Sequence, residues 1–272
     1  MITATYGHGT HNDFIVIFDP QDLITLSPDQ IIRLCDRTSG IGADGVIKII
    51  KRSDKWFMDY RNSDGSLAEM CGNGIRVMAK FLVDRGHQGE GIFPIATRDG
   101  NKFLKVPQNG DISVNMGQVS YIPGEISAEQ NGQIFKGLNI DVGNPHAVLF
   151  VESLDQVGPL DHPPLLSPDD EYPEGVNVEF VEFLENGEIK MRVHERGSGE
   201  TQSCGTGTCA VALAATIKKN KKLPIQWVIN PPGGRLVVDI DSHNNATLTG
   251  PAELIRDIDI SKFLQGSSAN QI

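Results

Sequence analysis

One self-similarity constrains this 272-residue sequence more than any other feature. Cys71-Gly72-Asn73-Gly74 returns 133 residues later as Cys204-Gly205-Thr206-Gly207. Upstream, Asn12-Asp13-Phe14-Ile15-Val16-Ile17-Phe18 is answered by Asn144-Pro145-His146-Ala147-Val148-Leu149-Phe150 at an offset of 132. Between them, Gly42-Ala43-Asp44-Gly45-Val46 aligns with Gly175-Val176-Asn177-Val178-Glu179, again at 133. Each match alone is a short Gly-containing string. Their common order and near-constant spacing read as two copies of one unit, each about half the chain. The chain is long enough for two ordinary cores without disulfide or metal staples.

Phe14–Phe18, Gly45–Ile50, Val148–Val151, Val178–Phe183, Ile189–Val193, Ile225–Ile229 and Leu236–Ile240 are apolar or β-branched runs that predict strands. After each Cys-Gly-x-Gly the residues become rich in Ala, Leu and Met, which predicts a helix. Ile75, Met78, Ala79 and Leu82 fall at helical spacing, and the helix after Cys204 is apolar nearly all round. A third helix is expected over Pro28–Asp36, with Ser27 as its cap. Each half is thus a strand-rich unit holding one buried helix, an α+β arrangement.

A net charge of −11 with no Lys/Arg-rich run argues against a nucleic-acid partner. No apolar stretch approaches the roughly 18 residues of a membrane span, and Met1–Gly9 lacks a signal-peptide layout. The expected location is the cytoplasm, where thiols stay reduced. Cys35, Cys71, Cys204 and Cys209 then read as free thiols, metal ligands or catalysts. Cys204 and Cys209 do not have zinc-ligand spacing and no C-x-x-C occurs, so no metal is expected. Cys35 and Cys209 lie within helical patterns and read as structural.

Cys71 and Cys204 stand where a loop becomes a helix. Free N–H groups and about half a positive charge gather there, which favours a thiolate and lowers the thiol pKa. The same N–H groups can hold a carboxylate, and the glycines admit it closely. Two such sites in related halves suit inversion at carbon: one thiolate takes a proton from one face and one thiol returns a proton to the other. The carbanion is stabilised by N–H groups aimed at its carboxylate, so no cofactor is required. The plainer reading, a buried Cys acting as a small hydrophobe, stands beside this one.

The stretch from Tyr60-Arg61-Asn62 through Glu69-Met70-Cys71-Gly72-Asn73-Gly74-Ile75-Arg76 resembles the first signature of the diaminopimelate epimerase family. Arg192-Val193-His194-Glu195-Arg196-Gly197-Ser198-Gly199-Glu200-Thr201-Gln202-Ser203-Cys204-Gly205-Thr206-Gly207 resembles the second. Asn12-Asp13-Phe14, the Gly40–Gly45 segment, Gly143-Asn144-Pro145-His146, Pro173–Asn177 and Gly250-Pro251-Ala252-Glu253 resemble further motifs, so the likeness spans essentially the whole chain. It implies two pseudo-symmetric domains, each a β-barrel-like sheet wrapped around a central helix, with the active site in the cleft between them. Expected boundaries are 1–117 and 118–262, with 263–272 rejoining the first half.

The resemblance implies interconversion of LL- and meso-2,6-diaminopimelate without pyridoxal phosphate, on the route to lysine and peptidoglycan, and a homodimer. Cys71 and Cys204 would be the acid/base pair, with Cys204 the acceptor and Cys71 the donor for the LL isomer. His146 and Glu195 would join the catalytic network. Gly72, Asn73, Gly205 and Thr206 would hold the reacting carboxylate; Asn62, Asn144, Asn177 and Arg196 would read the distal end; Asn12, Asp44 and Glu195 would meet ammonium or neighbouring polar groups. The plainer alternatives make Asn62 and Asn177 turn residues, His146 a core histidine and Glu69 a local cap, while Arg76 reads as structural or interdomain. His11, His194 and Asp44 depart from the commoner family residues. Competing functions are a proline or hydroxyproline racemase on the same fold, a phenazine-type isomerase, and a non-catalytic amino-acid-binding or thiol-redox protein. Oxidation of the two catalytic thiols would silence the enzyme.

Overall fold

The computed structural model describes residues 1–168 and 171–264. It divides the chain into two compact units: Met1–Gly9, Asp13–Gly110 and the described residues from Ala252 on form the first, and Thr10–Asn12 with Asp111–Pro251 the second. In chain order the first unit contributes β1 (Thr3–Gly9), β2 (Asn12–Phe18), α1 (Pro28–Cys35), β3 (Gly45–Arg52), β4 (Lys55–Asn62), α2 (Gly72–Asp84), β5 (Gly91–Thr97) and β6 (Gly100–Val106). The second contributes β7 (Ile112–Gln118), β8 (Ser120–Gln130), β9 (Gln133–Asp141), β10 (Pro145–Val151), β11 (Leu165–Ser167), β12 (Asn177–Phe183), β13 (Ile189–Glu195) and β14 (Gly199–Thr201). It continues through α3 (Gly205–Lys218), β15 (Ile225–Asn230), β16 (Leu236–Ile240) and β17 (Asn245–Gly250). The first unit is completed by β18 (Glu253–Asp259) and α4 (Ser261–Leu264).

The repeat in the sequence is a repeat of topology. In the first unit β2 runs parallel to β3, β3 antiparallel to β4, β4 parallel to β5 across α2, and β5 antiparallel to β6. In the second, β10–β12, β12–β13, β13–β15 across α3 and β15–β16 repeat those senses in that order. The first sheet reads β18-β1-β2-β3-β4-β5-β6, and α2 packs on β18, β1, β3 and β6. Because both ends of the strand order touch one helix, the sheet curls around it. In the second unit α3 likewise packs on β8, β9, β10, β12, β15, β16 and β17.

The central helices are buried along most of their length, with the Lys80–Asp84 pair left at the exposed end of α2. Ten of the thirteen residues of α2 and eleven of the fourteen of α3 are buried, so each helix serves as the core of its own unit. Each predicted strand falls inside an observed one. The predicted helix at Pro28 ends at Cys35, with Asp36 as its cap, and Ser27 and Gln30 form a reciprocal capping box.

The units divide between Gly110 and Asp111, upstream of the expected 117/118 boundary, because β7 pairs along its length with β17. The return to the first unit begins by β18, which pairs with β1 from Thr3 to His8. Of the segment 263–272 expected to rejoin that unit, residues 265–272 lie outside the described residues.

Candidate active site

Each Cys-Gly-x-Gly string forms the first turn of a central helix, with the cysteine as N-cap. Cys71 Sγ accepts from the Gly74 N–H and Cys204 Sγ from the Gly207 N–H, both at 3.4 Å. The two caps share extended backbone, φ/ψ −136°/121° at Cys71 and −119°/119° at Cys204. Cys71 is partly exposed, whereas Cys204 is buried. All four cysteines are free thiols, and Cys35 and Cys209 lie in cores as expected.

Around Cys71, Asn73 is fully buried, and its side-chain oxygen accepts from Arg76 Nη2 at 3.1 Å. Arg76, also fully buried, donates through Nη1 to the Gly72 carbonyl at 3.0 Å. It therefore braces the helix start from within, in keeping with its structural reading. Asn62 lies at the end of β4, where its amide donates to Ser66 Oγ at 3.0 Å in a local turn.

Asp44 is engaged on both oxygens. Arg37 donates to Oδ1 at 2.7 Å and the Asp13 N–H to Oδ2 at 3.1 Å. Asp13, which sequence reasoning passed over, anchors this cluster, accepting from Tyr6 Oη at 2.5 Å and from both Arg37 terminal nitrogens at 2.9 and 3.0 Å. Burial pushes the Asp13 carboxyl up, but the Arg37, Tyr6 and Asp44 N–H hydrogen bonds outweigh it and hold the group below the usual carboxylate range. The Tyr6 phenol is pushed up to about 12 by burial and by Asp13.

The second unit assembles a denser polar cluster. Glu195, at the end of β13, accepts a short hydrogen bond from Thr201 Oγ1 and shares another with the Cys204 thiol. Burial raises the Glu195 pKa above the carboxylate range, against those two hydrogen bonds. His146 places Nδ1 2.7 Å from Glu179 Oε1 and Nε2 3.1 Å from Asn144 Oδ1. The Asn144 amide reaches Thr206 Oγ1 at 3.4 Å, and Thr206 Oγ1 lies 3.5 Å from Cys204 Sγ. His146, Asn144, Glu195 and Thr206 are thus gathered about Cys204, which brings Asn144, expected at the distal end of the substrate, to the thiol's side.

Asn177 and Arg196 lie further round the same unit. Asn177 is buried, accepting from the Arg196 backbone N–H at 3.0 Å and donating to the Pro145 carbonyl at 3.3 Å. The Arg196 guanidinium is exposed and donates to the Glu174 carbonyl at 3.3 Å. Asn12 follows the left-handed residues Thr10 and His11, at φ 50° and 59°, in the β1–β2 turn. Within the second unit Thr10 Oγ1 donates to Ser203 Oγ at 2.9 Å, one residue before Cys204.

The expectation of an acidified thiol is corrected at Cys204. Burial raises its pKa well above the ordinary thiol value, and the charges of Glu195 and Glu179 add to that. The Thr206 hydroxyl and Gly207 N–H pull the other way but are outweighed. A helix start favours a thiolate only while the site stays wet and free of like charge. Cys204 therefore rests as the thiol.

Glu179 was missed as a site residue. Its signal is a single carboxylate inside the apolar stretch Val178–Val181 of β12, a strand buried between parallel and antiparallel neighbours. Among the described residues, no group of three or more His, Cys, Asp or Glu side chains is arranged to hold a metal ion, and no helix is long and apolar enough to cross a membrane.

Two repeated α+β units, each with a thiol capping a buried central helix beside polar hydrogen-bonding groups, define a two-cysteine protein class. The family model described as diaminopimelate epimerase matches residues 4–122 and 138–255. The chain is 42% identical to the diaminopimelate epimerase of Streptomyces coelicolor, covering 96% of each chain. It is 43% identical to that of Corynebacterium glutamicum, over 92% of this chain and 94% of the relative. The chain belongs to the diaminopimelate epimerase family, and it is an isomerase. The fold is shared with a Bacillus anthracis phenazine biosynthesis protein of the PhzF family, at a TM-score of 0.76 and 14% identity, over 94% of this chain and 98% of that one. A hydroxyproline epimerase from Agrobacterium vitis has it too, at 0.70 and 13%, over 94% and 91%.

Proposed function

We propose that this protein interconverts LL- and meso-2,6-diaminopimelate by a two-base mechanism with Cys71 and Cys204, without a cofactor, in the cytoplasmic supply of lysine and peptidoglycan precursors. The observation that carries this reading is the equivalence of the two thiols: each caps a central helix and accepts from the third N–H of its turn. Burial and the Glu195 and Glu179 charges hold the Cys204 proton, which suits Cys204 to the role of acid; the two-base reading then leaves the role of base to Cys71. That order is the reverse of the one the resemblance assigns to the LL isomer.

Catalysis then needs one proton taken from Cα by the Cys71 thiolate and another delivered to the opposite face by the Cys204 thiol. The free N–H groups at the two helix starts supply donors for the substrate carboxylate as charge flows into it. Glu195 accepts the Cys204 hydrogen bond and limits how far that thiol can ionise. Asn144, Asn177 and Arg196 would bind the distal amino-acid end, with Asn12, Asn62 and Asp44 as further polar contacts. Arg196 keeps its exposed guanidinium mostly available, a geometry suited to a second carboxylate. The family's homodimer is adopted with the rest of this reading.

The test compares epimerisation of LL-diaminopimelate with that of L-proline and trans-4-hydroxy-L-proline, followed by chiral chromatography. Turnover of diaminopimelate alone is expected. Turnover of a proline with none of diaminopimelate contradicts the assignment.

A further inference from the structure

The Glu179–His146 pair lies deep in the second unit, with both side chains wholly inaccessible. The direction of its hydrogen bonds bears on Cys204. Glu179 Oε1 lies 2.7 Å from His146 Nδ1. Asn144 turns its Oδ1 to His146 Nε2 at 3.1 Å and donates through Nδ2 to Thr206 Oγ1 at 3.4 Å. A hydroxyl that accepts from Asn144 has its single proton left for another acceptor, and Cys204 Sγ stands 3.5 Å away. From Asn144 the hydrogen bonds therefore run donor to acceptor toward the sulfur, and the His146 ring joins Asn144 to Glu179 on the other side.

We propose that Glu179 is a positioning residue for Cys204. It acts through His146 and Asn144 to keep the Thr206 hydroxyl pointed at the sulfur, which supports the thiolate when Cys204 takes its turn as base. This deepens, and rests on, the reading of Cys204 as one of the two acid/base thiols. An amide does not pass protons, so the chain works by orientation and not as a proton wire. The groups facing Cys204 are Glu195 at the end of β13, Glu179 on β12 and His146 on β10, together with the helix start itself.

Two further observations fit a fixed carboxylate. A Cβ at Gly207 would meet Glu179 Oε1 at 2.5 Å, so the helix start is built tightly over this oxygen. The second carboxylate oxygen, Oε2, is buried with no hydrogen-bond partner among the described residues. Glu179 is thus directed wholly at the histidine. The same carboxylate repels a thiolate through space, and the sign of a substitution separates the two effects. Through-space repulsion alone predicts that a neutral side chain in place of Glu179 makes Cys204 more reactive, whereas the oriented chain predicts less.

The test is the rate of Cys204 carboxamidomethylation by iodoacetamide between pH 7 and 10, resolved by peptide mass spectrometry, with Cys35 and Cys209 as internal controls. It needs no substrate, so it fails separately from the epimerase assignment. In an otherwise natural chain, Glu179→Gln and Glu179→Leu are expected to slow Cys204 alkylation at pH 8 about tenfold, the leucine variant more than the glutamine one. In a Thr206→Val background, where the chain is cut, the same substitutions should change the rate less than about twofold, as residues acting in one network are non-additive. If Glu179→Leu prevents folding, as judged by thermal melting, the Glu179→Gln arm decides alone. Faster alkylation in Glu179→Gln, no change, or an equal change in both Thr206 backgrounds overturns the proposal.

Discussion

At Cys204 the helix start and its surroundings act in opposite directions. The Gly207 N–H and Thr206 hydroxyl favour the anion; burial and the Glu195 and Glu179 carboxylates oppose it and prevail. Removing the Glu195 charge removes one of the opposing influences, so Glu195→Gln is expected to move Cys204 alkylation to lower pH by about one unit. Alkylation followed against pH gives this directly, and a midpoint moved upward would contradict the account of why the thiol rests protonated. The positions of both thiols were legible in the sequence because a Cys-Gly-x-Gly before an apolar helix specifies an N-cap. The pKa direction was not, since it depends on carboxylates from β12 and β13 that only folding brings together. Asp13 and Arg37 escaped notice for the same reason: their pairing with Asp44 joins β2 to the loop after α1.

At the scale of elements, the second glycine of each string is a packing requirement. In α2 a Cβ on Gly74 would stand 3.0 Å from Ile47 and Met58; in α3 one on Gly207 would stand 2.5 Å from Glu179. Alanine gains up to about 1 kcal/mol in helix propensity over glycine, while overfilling a packed site typically costs about 1–3 kcal/mol. The carboxylate at Gly207 is fixed by His146 and cannot swing aside, so crowding prevails. Gly207→Ala should lower the melting temperature by several degrees, and a raised one would show that the helix start has room. The apolar strands were legible because burial on both faces leaves an unbroken run. Strand β6 was not: Lys102 is buried and paired with Asp99 at 2.6 Å while Phe103 on the next position is 56% exposed, the inverse of the usual alternation.

Over the whole molecule, the offset of 133 residues is matched by the repeated order of parallel and antiparallel pairings around each central helix. What the offset could not supply is the closure of the first unit. Its outer strand β18 comes from the far end of the chain, where nothing in a local pattern names β1 as partner. In the two-base reading proposed above, one unit alone offers one N-capping cysteine, and inversion needs a donor as well as an acceptor. That reading requires both units for a single chemical event. The direct measurement incubates LL-diaminopimelate in deuterium oxide with the natural protein and with Cys71→Ala and Cys204→Ala, scoring stereochemistry and Cα deuterium together. One solvent deuteron per inversion is expected in the natural protein, with inversion reduced at least about 1,000-fold in each variant, the scale of losing a required acid or base. Inversion at the natural rate in either single variant would contradict the two-base reading.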